Sequence, residues 1–282
     1  MLKLGYSNYG MKEFDVFQVL SRLRSIGYEA NEICVRDGWQ TAAHHFDKGA
    51  RRRLVLEYQR LGFPPPPLME ALEVCATGPE RAAMLERARE SFAMARDLNF
   101  GDSPAIVTTT VGALKRPWND ILNDVLAAFV ELADVASSFN VVIAIEAHAG
   151  SELNTPEKVV WLVERARHDH LKLNFDISHF VVQGIPIQRC VDLCLPHTVH
   201  THVKDGRMVD GRVRYQLPGE GNMDLVHYLR AVTRAGLIPP VFVEVSRQIS
   251  EAKGFDAWHA AEFCYRALDR ARREADPEHR RS

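Results

Sequence analysis

Four separated stretches of the chain end in residues that can bind a metal ion or move a proton. The stretch 141–150 reads VVIAIEAHAG and delivers Glu146 and His148 after a run of apolar residues. Three later stretches repeat this layout, namely 171–179 with Asp176 and His179, 197–205 with His202 and Lys204, and 239–246 with Glu244. A carboxylate at the end of an apolar run is costly to bury unless it is paired or bound to a cation. We therefore expect these groups to converge on one site.

The residue types at these four ends indicate a particular class of metal. Three carboxylates and one imidazole form a hard, oxygen-rich ligand set, contributed by Glu146, Asp176, His202 and Glu244. Such a set suits Mn²⁺ or Mg²⁺, with Co²⁺, Fe²⁺ and Zn²⁺ as alternatives. Without a cation the three carboxylates would repel one another and raise one another's pKa. The sequence therefore predicts one divalent metal ion, with Mn²⁺ or Mg²⁺ favoured over Co²⁺, Fe²⁺ and Zn²⁺.

Strands and helices alternate along the whole chain. Continuous apolar runs predict buried parallel strands. They cover 2–6, 28–35, 68–74, 105–111, 141–147, 171–175, 199–203 and 241–245. Amphipathic segments between them predict helices, including 48–61, 119–138, 187–194 and 257–272. Eight such alternations predict an α/β protein, a single-domain (β/α)8 TIM barrel over 1–275 with a flexible tail at 276–282.

An open doubly wound sheet is the competing arrangement for eight parallel strands. It would require a glycine-rich phosphate loop after the first strand. The segment GYSNYG at 5–10 does not fit that pattern. A closed barrel also brings the carboxyl ends of all strands to one mouth, where active sites of this fold lie. The predicted strand-end residues would then face one another.

Composition excludes several other classes of protein. The 282 residues are 46% hydrophobic, with a net charge of −2 and a pI of about 6.6, so nothing indicates a nucleic-acid surface. No apolar run approaches a membrane span, and the chain enters a strand at once without a signal peptide. Five scattered cysteines indicate a reduced compartment. We therefore predict a cytoplasmic protein with a small-molecule partner, and leave open whether it forms a homo-oligomer.

Five motifs carry a family resemblance that spans nearly the whole chain. They are IEAHAG (145–150), FDISH (175–179), HTHVKDG (200–206), LPGEGNMD (217–224) and VFVEV (241–245). Together they resemble the sugar phosphate isomerase/epimerase superfamily, the xylose isomerase-like TIM barrels. The resemblance implies a single divalent-metal site at Glu146, Asp176, His202 and Glu244. It also implies that His179 and Lys204 contact substrate oxygens, and His148 is predicted to contact the substrate from the end of its strand.

The chain departs from parts of this superfamily. The endonuclease branch needs further histidines after the third and fourth strands, where this sequence has EVCATG (73–78) and TTTVG (108–112). Phosphodiester cleavage is therefore not expected. After the seventh strand the chain reads HVKDGR, where the resemblance to the epimerases implies a longer loop. The resemblance consequently leaves the substrate open.

The expected reaction is proton transfer next to a carbonyl. Glu146 and Glu244 are predicted to remove and return the proton of a small sugar or keto-polyol through an enediolate, which gives epimerisation or isomerisation. The first alternative is a metal-dependent lyase or dehydratase acting on a keto-sugar or inosose. The second is a barrel that binds a sugar or a partner without catalysis.

Overall fold

Eight parallel strands close into a barrel, as the sequence predicts. The computed structural model describes residues 1–112, 114 and 116–276. The strands of the described residues are β1 (Leu4–Ser7), β2 (Ala30–Cys34), β3 (Leu68–Met69), β4 (Ala105–Thr110), β5 (Val141–Glu146), β6 (Leu171–Asp176), β7 (Thr198–Val203), β8 (Asp205–Val209), β9 (Arg212–Gln216) and β10 (Val241–Val243). Around the barrel the order is β1, β10, β7, β6, β5, β4, β3, β2, and every pair is parallel. The (β/α)8 fold is confirmed.

Helices on the outside connect successive strands of the barrel. Those of the described residues are α1 (Val16–Ile26), α2 (Lys48–Leu61), α3 (Gly78–Leu98), α4 (Trp118–Ser137), α5 (Pro156–Ala166), α6 (Ser178–Val181), α7 (Ile187–Cys194), α8 (Leu225–Arg234), α9 (Arg247–Ser250) and α10 (Ala257–Ala275). In the described part of the chain, no helix is long and apolar enough to span a bilayer. The predicted tail lies outside the described residues from position 277 onward and stays a prediction.

Local sequence explains where the helices begin. The Thr155 hydroxyl accepts a hydrogen bond from the Lys158 amide at 3.4 Å, Pro156 occupies the first turn of α5, and Glu157 faces the helix dipole. At α10 the Asp256 carboxylate accepts from two backbone amides, at 2.9 and 3.0 Å. Each cap satisfies amides that the helix itself leaves without a partner.

The core lies between the barrel and its helices. Val107, Ile143 and Leu171 belong to strands and are fully buried, and Phe129 and Leu132 of α4 are fully buried as well. Inside the barrel the close approach of β1 to β10 requires a glycine. A Cβ at Gly5 would lie 2.5 Å from the Phe242 ring. Buried apolar residues of strands and helices together form this core.

The structure shortens one predicted strand and adds an element that the sequence analysis did not predict. The third strand was expected over 68–74, but β3 spans only Leu68–Met69, because the following residues form a loop that lines the mouth. After β7, where the sequence analysis predicted no element, the chain forms an antiparallel hairpin of β8 and β9. Its turn is Asp210-Gly211, both with positive φ (48° and 70°), which is a pair that favours two-residue hairpins.

Candidate metal and acid–base site

The four predicted metal ligands lie together at the carboxyl ends of four adjacent strands. Glu146 and Asp176 are the last residues of β5 and β6, His202 is on β7, and Glu244 follows β10. One ligand atom from each residue lies within 4.8 Å of the ligand atoms of the other three. All four residues are buried, with at most 8% of the surface exposed. Barrel closure therefore brings together groups that are up to 98 positions apart in the chain.

His202 is surrounded by carboxylates on both ring nitrogens. Its Nδ1 is 3.0 Å from Glu146 Oε2 and 3.0 Å from Glu244 Oε2, while its Nε2 is 2.9 Å from Glu32 Oε2. A carboxylate accepts but does not donate, so each contact needs a proton on the imidazole. Burial alone would lower the pKa of His202, but the charge of Glu32 and the hydrogen bonds to the carboxylates raise it well above its ordinary value.

Glu32, a residue that the sequence reading missed, lies below this centre. It belongs to β2 and is fully buried. Its Oε1 accepts from Thr108 at 3.2 Å and lies 3.1 Å from His200 Nε2, while Oε2 faces His202. Burial would raise the pKa of Glu32, but the two imidazoles hold it far below its ordinary value. The available signal was a glutamate inside a short buried strand, where a charge needs a partner.

His200 takes one of the two placements that the sequence leaves open. The pattern His-x-His-x-Lys at 200–204 puts three polar residues on one strand face and predicts a position near the mouth, because burying them in a barrel interior is costly, but His200 by itself is as compatible with a satisfied position inside the barrel. His200 instead points into the interior, with 1% of its surface exposed and its ring 4.4 Å from Phe242. Glu32 provides the hydrogen-bond partner that makes this burial tolerable.

Lys204 lies among the carboxylates of the candidate site. Its ammonium contacts Asp176 Oδ2 closely, and it lies 2.8 Å from Glu244 Oε2 and 3.7 Å from Glu146 Oε1. Burial opposes a charged lysine, but these carboxylates raise the pKa of Lys204 well above its usual range. Burial would likewise raise the pKa values of Asp176 and Glu146, and the Lys204 ammonium is the largest of the effects that lower both.

His179 connects Glu146 to the hairpin. On α6, its Nε2 is 3.0 Å from Glu146 Oε1, and its Nδ1 is 2.7 Å from the Tyr215 hydroxyl of β9. His148 packs beside it with ring centroids 4.2 Å apart. Burial lowers the pKa of His148 to about 4, so this ring is neutral near pH 7. Tyr215 was missed because the hairpin that carries it was missed.

A cavity of about 400 Å³ opens above these groups. The three predicted substrate contacts, His148, His179 and Lys204, all line it, as do Glu146 and Glu244. Asp176 and His202 are not among its lining residues and lie beneath, with at most 1% of the surface exposed. This volume falls within the range of small-ligand pockets, about 300–1,000 Å³.

The donor set fits a divalent cation. Among the described residues, four buried carboxylates, Glu32, Glu146, Asp176 and Glu244, contact one lysine, Lys204, and three imidazoles, His179, His200 and His202. A cation bound by the four predicted ligands would offset this surplus of negative charge. Glu32 would then hold the far nitrogen of a ligating histidine, which is a common arrangement around protein-bound metals.

The fold and these residues define a class of protein. Residues 20–266 match the family model described as xylose isomerase-like TIM barrel, so the chain belongs to this family. No curated protein matches the chain by sequence.

Solved structures share the fold at low sequence identity. A D-psicose 3-epimerase from Clostridium cellulolyticum H10, solved with D-tagatose, has a TM-score of 0.77 at 16% identity, over 98% of this chain and 100% of that one. An L-ribulose 3-epimerase has a TM-score of 0.75 at 20% identity, over 98% and 97%. A xylose isomerase-like TIM barrel protein from Mycobacterium smegmatis, in complex with magnesium, has a TM-score of 0.70 at 15% identity, over 98% of both chains.

Proposed function

We propose that this protein is a divalent-metal-dependent isomerase or epimerase that transfers a proton next to the carbonyl of a small sugar or keto-polyol. Glu146, Asp176, His202 and Glu244 would hold the ion, for which the donor set favours Mn²⁺ or Mg²⁺. When bound, such an ion supplies Lewis-acid stabilisation of negative charge on substrate oxygens. The structural neighbours named as sugar 3-epimerases support a ketose as the substrate.

The observation that carries this proposal is the position of the two glutamates. Glu146 ends β5 and Glu244 directly follows β10, and these two strands flank β6 and β7 in the barrel. Both glutamates line the cavity. A substrate in that cavity would have one carboxylate on each side. One glutamate would remove the proton from the carbon beside the carbonyl, and the other would return it. Return to the opposite face of that carbon gives the epimer. Return to the neighbouring carbon, together with transfer of the hydroxyl proton to the former carbonyl oxygen, gives the aldose–ketose isomer.

The surrounding residues would orient these two carboxylates. Asn174 Nδ2 donates to Glu146 Oε2 at 2.8 Å, and His179 contacts Glu146 Oε1, so both oxygens of this carboxylate are held. Lys204 holds Glu244 Oε2. Its ammonium would also donate to a substrate oxygen, since it lines the cavity. The Tyr215 hydroxyl fixes the far side of the His179 ring.

Solvent-deuterium incorporation tests the proposal. Purified protein loaded with Mn²⁺ or Mg²⁺ is incubated in D2O with D-allulose, D-tagatose, D-fructose and L-ribulose, and the products are analysed by NMR. We expect deuterium at a carbinol carbon. Glu146→Gln and Glu244→Gln should each lower the rate by about 10²–10⁴-fold, the usual contribution of a general acid or base.

Matched controls separate chemistry from folding and metal loss. Glu164→Gln changes an exposed glutamate of α5 and should leave the rate unchanged. Metal content is measured in every variant. A near-normal rate in Glu146→Gln or Glu244→Gln would remove that residue from the acid–base role. A new enone absorbance in place of deuterium would instead identify a lyase, and bound metal without exchange into any polyol would identify a non-catalytic barrel.

A further inference from the structure

Arg36 lines the β2 side of the cavity, away from the strand that carries Asp176. It follows β2 by two residues and lines the cavity. In the ring of eight strands, β2 is four positions from β6 in either direction. The proposed ligands are carried by β5, β6 and β7 and by the residue after β10, which lie three, four, three and two positions from β2 around the ring, so Arg36 lies on the β2 side of the mouth, farthest from the strand of Asp176. A molecule that contacts both would have to extend across the mouth.

The guanidinium of Arg36 is held in place by aromatic residues. Its Nη1 donates to the Tyr9 hydroxyl at 3.2 Å, and its carbon lies 5.4 Å from the Trp39 ring and 5.8 Å from the Tyr9 ring. These two rings stack on each other at 5.4 Å, and the Trp39 indole donates to the Tyr9 carbonyl at 3.0 Å. The aromatic support limits how far the charged group can move and leaves other N–H donors available.

Arg36 differs from the other arginines near the cavity in its lack of an acidic partner. Within the described part of the chain, no carboxylate oxygen lies within 4.0 Å of its guanidinium. By contrast, Arg247 also lines the cavity but pairs with Glu251 at 2.9 Å. Arg87 lies 3.6 Å from Glu70 and donates to the Ala71 carbonyl. Arg36 therefore provides a positive charge that the protein does not itself neutralise through an ion pair.

The acidic groups on the same wall do not cancel that charge. Glu70 lines the cavity, accepts from Ser91 at 3.0 Å, and has its pKa raised to about 7 by burial, so it is partly neutral near pH 7. Glu73 also lines the cavity, but it is exposed to solvent, which screens its charge. Of the arginine and lysine side chains that line the cavity in the described part of the chain, Arg36 is therefore the one without an ion pair.

We propose that Arg36 binds an anionic group, a carboxylate or a phosphate, at the end of the substrate opposite the metal centre. This inference rests on the proposed function and narrows its substrate to a keto-sugar acid or a sugar phosphate. The planar fork of a guanidinium matches the oxygen pairs of both groups. A neutral ketose would leave this preorganised cation without its partner.

Calorimetric binding to the metal-loaded protein tests the inference with three ketoses that differ at one end: D-fructose, D-fructose 6-phosphate and D-fructuronate. We expect at least one charged ketose to bind about tenfold or more tightly than D-fructose, the effect of a charge-assisted hydrogen bond. Arg36→Met should abolish this preference, and Arg36→Lys should keep part of it. Whichever charged ketose binds more tightly identifies carboxylate or phosphate as the ligand group.

Controls keep the two proposals separable. Arg247→Met removes the paired arginine of the cavity and should keep the preference for charged ketoses. Circular dichroism and thermal unfolding check that each variant folds. If Arg36→Met does not fold, the reduced preference of Arg36→Lys for charged ketoses tests the proposal instead. Equal affinity for neutral and charged ketoses, or a preference that survives loss of Arg36, would overturn the anion site. If the anion site is overturned in this way, exchange of deuterium into neutral ketoses would still support the proposed isomerase or epimerase function. A preference for charged ketoses that depends on Arg36, without any deuterium exchange, would reject that function but keep the anion site.

Discussion

Glu32→Gln is the substitution that most directly tests how the centre is built. Glu32 accepts from two imidazoles at once, His200 at 3.1 Å and His202 at 2.9 Å. A glutamine offers one oxygen and one NH2 group, so one imidazole must turn a nitrogen lone pair toward it. If that imidazole is His202, its remaining proton moves to Nδ1, the atom that faces Glu146 and Glu244. A protonated Nδ1 cannot bind a cation.

The size of the effect follows from burial. Glu32 and His202 are both fully buried, so water cannot replace the lost interaction. Loss of an outer partner of a ligating histidine typically costs about 10–100-fold in metal affinity, or about 1.4–2.7 kcal/mol. Because this pair is fully buried, we expect the upper part of that range for Mn²⁺.

Titration of the metal-free protein with Mn²⁺, in competition with a fluorescent chelator, measures the affinity. Glu70→Gln is the matched control, since Glu70 is equally buried near a strand end but has no contact with His202. It should bind Mn²⁺ as the unaltered protein does. Unchanged affinity in Glu32→Gln would refute the reasoning. Two ions per chain would refute it as well, because Glu32, His200 and His202 could then bind a second ion themselves.

Three further substitutions test the charges and packing around the site. Lys204→Met should lower the free energy of unfolding of the metal-free protein by about 3–5 kcal/mol, because it leaves buried carboxylates without the lysine ammonium. Scanning calorimetry should then show a larger rise in Tm on adding Mn²⁺ for this variant than for the unaltered protein. Equal rises in Tm would contradict this. Burial raises the pKa of Glu70 from 4.5 to about 7, so its protonated form stabilises the fold at low pH, and that contribution falls as the pH rises through this window. The free energy of unfolding of Glu70→Gln, relative to the unaltered protein, should therefore rise by roughly 3 kcal/mol between pH 4.5 and pH 8 in urea titrations, whereas a flat difference would refute the pKa. Gly221→Ala should lower stability by about 1–3 kcal/mol, because its Cβ would overlap the Asp205 carboxylate and lie 2.7 Å from the Gly206 amide; an unchanged urea midpoint would show that this loop can shift.

Most of the barrel could be predicted because its signals are local. A continuous apolar run such as 141–146 reads as a buried strand whatever its neighbours are, and caps such as Thr155 and Asp256 act within three residues. The third strand was overextended because only its first two residues pair with a neighbour. The hairpin was overlooked although Asp210-Gly211 is a local turn signal.

The four proposed ligands could also be chosen from sequence, because each stands at the end of its own apolar run and parallel strands of a barrel end at one mouth. Their partners could not. Glu32 contacts His202 across 170 positions, and Tyr215 contacts His179 across 36. Such pairs depend on which strands lie opposite or adjacent once the ring has closed, and on the register between them. Barrel closure also decides that Lys204 lies among the carboxylates and that Arg36 lines the same cavity. The sequence gives the charge of each side chain, but tertiary packing decides which opposite charge lies nearest to it.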